Sequence, residues 1–186
     1  IKKKKWETVI QNVLGRFKGK EKDITIEQWV KKARRMSQIT NDLLIPSEID
    51  ELIQIRDRID VWFFQDTSGS CVSYAERFFK AAASIPEDRF NIRGFCFDTK
   101  VYEINFRDGK LQGFGGTCFA VIESEIQKII NKEKCQYPQV VFIITDGYGS
   151  KVHPLFPERW HWFLTEGGFK GLIPNQSHIY NLSDFE

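Results

Sequence analysis

The stretch Ile59-Asp-Val-Trp-Phe-Phe-Gln-Asp66-Thr-Ser-Gly-Ser70 carries the fold. Apart from Asp60, Ile59–Phe64 is a short apolar run, as expected of a strand buried on both faces. It then changes within two residues to small, oxygen-rich side chains, as where a parallel strand stops and its connection begins. Two later segments repeat that arrangement. Val140–Thr145 is another apolar run followed by Asp146 and Gly147, and Gly115-Gly116-Thr117 stands just before an amphipathic stretch.

Working outward, Tyr74–Ser84 is predicted as a helix, with Ala75, Phe78, Phe79, Ala82 and Ala83 on one side and Pro86 just beyond. Phe90–Phe97 and Val101–Phe106 read as two strands joined by a tight turn at Asp98–Lys100. Phe119–Asn131 reads as a second amphipathic helix, and Trp160–Leu164 and His178–Leu182 as late strands. This alternation predicts an α/β fold: a doubly wound, mainly parallel sheet with helices on both faces and right-handed crossovers. Residues 58–186 form that domain, and residues 1–57 are expected to be an N-terminal helical extension or linker. In the extension, Trp6, Val9, Ile10, Val13, Leu14 and Phe17 make one stripe of a helix that packs on the main domain. Thr25 and Gln28 have capping-box spacing, which predicts a second short helix.

Composition excludes several classes. The chain has 186 residues, 41% hydrophobic and 28% charged, the balance of a globular protein. Its 27 basic and 25 acidic residues leave a formal charge of +2, so no overall field argues for nucleic acid or an anionic membrane surface. Lys2–Lys5 read as a solvated chain end. No apolar run approaches the roughly 18 residues that span a bilayer, and no signal peptide is visible. The four cysteines (Cys71, Cys96, Cys118, Cys135) stand singly, which predicts reduced thiols in a cytoplasmic protein. A first residue of Ile1 leads us to expect a piece of a longer protein.

In open α/β sheets, ligands bind beyond the C-terminal strand ends where the strand order reverses. Asp66, Ser68, Ser70, Thr117 and Asp146 are expected to converge there as ligands of one hard cation. Magnesium takes about six oxygens and keeps several waters, so one or two carboxylates plus neutral hydroxyls suffice. Manganese or calcium would satisfy the same oxygens. With only two carboxylates the ion stays electrophilic and can recruit an acidic group from outside. Gly69, Gly115, Gly116 and Gly147 are expected to let the loops turn tightly against the ion. Ordinary helix-cap chemistry explains each residue separately, but not all three segments in this order. A phosphoryl-accepting Asp66 would need a second acid two residues later, where Ser68 stands. Cys71 and Cys118 follow expected ligands and read as small packing residues. Nothing completes a zinc set around His153 and His161.

Asp66-Thr67-Ser68-Gly69-Ser70, then Thr117, then Asp146 in Thr-Asp-Gly resemble the metal-ion-dependent adhesion site of von Willebrand factor A domains, which have a Rossmann-like fold. The resemblance implies that Ser68, Ser70 and Thr117 contact the metal, and that Asp66 and Asp146 bind it directly or through water. Trp6, Phe97-Asp98-Thr99-Lys100-Val101, Gly115-Gly116-Thr117 and Trp162-Phe163-Leu164-Thr165 also look like a prokaryotic and phage family described as metallopeptidases. Its members carry a von Willebrand A-like domain after an N-terminal peptidase-like region. Cys118 and the long Gly147–Arg159 loop depart from that pattern, and no HExxH is present in this chain. The resemblance implies a non-catalytic, metal-dependent protein-binding module whose partner supplies a carboxylate; an AAA+ ATPase is the partner class suggested by related domains. The alternative is a regulatory or substrate-presenting domain of a larger metallopeptidase-like enzyme. An RNA-associated module of the Ro type is disfavoured by the near-neutral charge.

Overall fold

The computed structural model describes residues 5–17, 21–26, 51–56, 58–106, 108, 111–113 and 115–185. Residues 1–18 and 58–186 make one compact unit, and residues 19–57 make a second. Among the described residues the larger unit holds α1 (Glu7–Gly15), β3 (Ile59–Asp66), α2 (Val72–Ala83), β4 (Phe90–Phe97), β5 (Val101–Ile104), α3 (Ala120–Glu133), β6 (Val140–Thr145), β7 (Trp160–Leu164) and β8 (His178–Asn181). The smaller unit contains β1 (Glu21–Ile26) and β2 (Glu51–Arg56), paired antiparallel. Thr25 therefore lies in a strand, not at the start of a helix, and the extension is not purely helical. The β-branched run Ile24-Thr25-Ile26 favours extended backbone more than the capping-box spacing favours a helix. The remainder of that expected helix lies outside the described residues.

The six-stranded sheet runs β5-β4-β3-β6-β7-β8. All neighbours are parallel except the edge pair β4–β5, as expected of a Rossmann-like α/β fold. Alternation along the central strands sends successive side chains into two separate cores. Val61, Phe63, Val140, Phe142 and Ile144 pack with Trp6, Ile10, Val13 and Leu14 of the α1 segment and with Ala75, Phe78, Phe79 and Ala82 of α2. On the other face, Trp62, Phe64, Val141 and Ile143 pack with Ile122, Ile126 and Ile129 of α3, and with Trp160 and Trp162. Helices thus cover both faces, and Val61–Phe64 of β3 and Val140–Ile144 of β6 read as continuous apolar runs because each face of each strand meets a core. The second strand of the hairpin ends at Ile104, earlier than expected. Phe106 turns back onto Gly94, where a Cβ would stand 2.5 Å from its ring.

Among the described residues, no helix is long and apolar enough to cross a membrane. Trp6 is buried, with its ring 5.6 Å from Phe163 and 6.3 Å from Phe78. Its removal should empty the seam between α1 and the sheet. Trp6→Ala is expected to lower unfolding free energy by about 3–5 kcal/mol in urea titrations. A loss below about 1 kcal/mol would mean α1 is a detachable appendage.

His161, on β7, is buried and stacks on His178 at 4.6 Å, with Tyr180 Oη 3.3 Å from its Nδ1. Burial above all, then the neighbouring His178 and Arg16, holds its pKa down at about 3. Unfolded, this histidine takes up its proton near its ordinary value of about 6.5. The stability of the neutral, folded form is therefore present above that value and is lost as pH falls from it toward 3. Between pH 7.5 and 5 the parent should lose up to about 2 kcal/mol more than His161→Phe, read from urea midpoints. Equal losses would show that another group governs acid sensitivity.

Candidate metal centre

The strand order places β4 on one side of β3 and β6 on the other, so the chain reverses direction of winding between β3 and β6. Both strands end there, β3 at Asp66 and β6 at Thr145. Asp66 Oδ1 accepts a hydrogen bond from Ser68 N at 2.9 Å and one from Thr117 Oγ1 at 3.2 Å. Asp66 Oδ2 accepts from Thr145 Oγ1 at 2.6 Å. Across the same opening, Asp146 Oδ2 accepts from Ser70 Oγ at 2.7 Å, and Ser70 Oγ lies 3.4 Å from Ser68 Oγ. The structure thus brings Asp66, Ser68 and Thr117 together at one carboxylate, and Ser70 and Asp146 beside it.

The loops that carry these groups are held by other residues. Thr67 donates through both its amide and its hydroxyl to Phe97 O, each at 3.1 Å. Gln65 Nε2 donates to Asp66 O at 2.8 Å and to Cys71 O at 3.1 Å, spanning the base of the loop. The loop before Thr117 is braced by buried Asp98, whose carboxylate accepts from Lys100 N at 2.7 Å and Gly115 N at 3.2 Å. Asp98 O also accepts from Cys118 N at 2.9 Å. Gly147 has φ +80°, and a Cβ there would stand 2.0 Å from Phe169 O, so only glycine fits. Gly69 and Gly116 have nothing within 4 Å of a built Cβ. Close approach does not explain those two.

Asp66 is wholly buried, and that burial raises its carboxyl above the usual carboxylate range. The hydrogen bonds from Thr145 and Ser68 offset part of the effect, while the charge of Asp146 adds to it. Two like charges therefore face each other across a site whose hydrogen-bond donors are hydroxyls and amides. A divalent cation would relieve this, and the hydroxyl protons can rotate away to offer lone pairs to it. Ligand atoms of Asp66, Cys71 and Asp146 also lie within 4.8 Å of one another. Burial pushes the Cys71 thiol up to about 11, so it is protonated at neutral pH and a weak ligand. Together these residues fit a hard, oxygen-seeking cation better than a soft one.

Cys118 turns to Ser150, with Sγ 3.2 Å from its hydroxyl, and all four cysteines are free. His161 packs on β8 instead of joining the site, and His153 is exposed. Sequence reasoning missed Thr145 and Asp98. Thr145 could have been suspected from its place beside Asp146 at a strand end, whereas nothing local distinguishes Asp98 from an ordinary turn aspartate. Compared with known proteins, the sequence matches no protein-family model and no curated protein.

Asp66→Asn keeps an acceptor for Thr145 and removes the buried charge. In chelator its melting temperature should equal or exceed the parent's, by ~2–4 °C for each kcal/mol recovered. Added magnesium should not raise it further. A variant that melts well below the chelated parent would show that the charge itself holds the three segments together.

Proposed function

We propose that this chain is a divalent-metal-dependent protein-binding module of the von Willebrand factor A type. Asp66, Ser68, Ser70, Thr117 and Asp146 would hold one ion of the magnesium class, magnesium, manganese or calcium. The observation that supports this best is the meeting of two carboxylates and three hydroxyls at the sheet's switch point, with the buried acid facing another acid. A structural role alone gives no reason to put like charges together inside a fold.

When bound, the ion would supply a positive centre able to accept a carboxylate oxygen from a partner protein. Asp66, anchored through Thr145 and Ser68, fixes the inner wall of the site. Ser70 and Asp146 are less buried and form its outer lip, where a partner can approach. Thr117 approaches from the side on the loop that Asp98 braces. Each of these residues offers oxygen to the ion, which favours a binding module.

Binding to the folded state alone adds about 2.7 kcal/mol at a ligand concentration 100 times the dissociation constant. Saturating magnesium should therefore raise the melting temperature by ~5–10 °C, and a chelator should reverse the shift. Asp146→Ala should fold and lose the shift, because its side chain serves the loop and not a core. An unchanged melting curve for the parent with magnesium, manganese and calcium alike would end the metal reading.

A further inference from the structure

Tyr148 and Phe169 are 59% and 45% exposed, whereas the other Phe, Tyr and Trp rings among the described residues are largely covered. Their rings nevertheless stack, with centroids 5.7 Å apart and planes 16° from parallel. They come from different loops, one after β6 and one after β7, and both are tied to Asp146. Tyr148 N donates to Asp146 Oδ1 at 3.0 Å, and Phe169 N donates to Asp146 O at 2.8 Å. Two glycines allow the arrangement. Gly147 lets Phe169 O approach, and Gly171 leaves room for the Phe169 ring, whose Cζ would lie 2.5 Å from a Cβ there. The pair is therefore a built surface, anchored to a proposed metal ligand and open to water.

We propose that the stacked Tyr148–Phe169 pair is an apolar subsite beside the metal group. It would select, among acidic partner segments, those with an apolar side chain directly after the Asp or Glu that seeks the metal. This rests on the metal reading above. One step of chain, at most roughly 3.6 Å, separates the acid from the residue that must reach a ring two residues from Asp146. Covering fixed, exposed aromatic surface is favourable, which gives such a segment an advantage over an acid alone. The surrounding charge suits an acidic segment: Lys151 and Lys170 are exposed on the same two loops. Glu166, the acid of the second loop, lines a separate cavity with Trp6, Tyr74 and Arg77.

The test titrates three blocked tetrapeptides, Gly-Asp-Leu-Gly, Gly-Asp-Gly-Gly and Gly-Asn-Leu-Gly, into the isotopically labelled, magnesium-saturated chain by NMR. Magnesium affinity is measured separately by calorimetry for the parent and for Tyr148→Ala. The expected result is Asp-Leu binding roughly tenfold tighter than Asp-Gly, with Asn-Leu not binding. Tyr148→Ala should reduce Asp-Leu to the Asp-Gly level and keep its magnesium affinity. Equal affinity of Asp-Leu and Asp-Gly for the magnesium-bound parent would overturn the subsite and leave the metal reading standing. So would Asp-Leu binding that Tyr148→Ala leaves untouched. A Tyr148→Ala chain that loses magnesium as well would assign the ring to the metal loop and overturn the subsite. Failure of every peptide to bind the magnesium-loaded chain overturns it too. A parent that binds no magnesium brings down the metal reading and this proposal together.

Discussion

A carboxylate without access to water must find its hydrogen-bond donors inside the protein, and Asp66 is in that position. It finds them in three places: the amide of its own loop, the Thr117 hydroxyl ahead of α3, and the Thr145 hydroxyl at the end of β6. Any geometry that satisfies Asp66 must therefore bring those three segments to one point. Removing a donor would leave a buried acceptor short, a loss of about 1–3 kcal/mol and more for a charged group. The buried acceptor oxygens of Asp66 thus act as an organising constraint on the loops, whether or not an ion shares them.

The sheet makes that convergence possible. β3 pairs with β6 in parallel register, Gln65 opposite Ile144, so the two strands end side by side. Apolar side chains on both faces of both strands hold them there, one core closed by α1 and α2 and the other by α3. Arg93 supports the far side of the sheet: its guanidinium lies 5.2 Å from the Trp62 ring and pairs with Glu103 and Glu133. Division of labour follows from this. The strands carry the packing, and the polar groups stand where the strands stop.

Much of this was legible in residue order because burial writes a strong pattern. Val140–Thr145 could be bounded to the residue, since a strand covered on both faces shows as a run of apolar residues. The convergence of Asp66 and Asp146 was legible too, because strand ends in a parallel sheet share one edge, and Thr117 joins them from the loop before α3. Thr25 was not, since a capping-box spacing and a β-branched run overlap there and pairing with the segment Glu51–Arg56 lies far along the chain. Asp98 was hidden for a related reason. Its partners Gly115 and Cys118 come from a loop 17 or more residues away, so its role exists only after folding.

The hydrogen bond between Thr145 and Asp66 joins residues 79 positions apart. Such closure is slow to achieve, because the entropy of a long loop is lost before the contact rewards it. The hairpin of β4 and β5 needs only a short turn and can form early. The contact between Asp66 and Thr145 requires β6 to be docked beside β3. The oxygen cluster can close only once β6 has docked beside β3, so its closure reports that the two central strands have found each other.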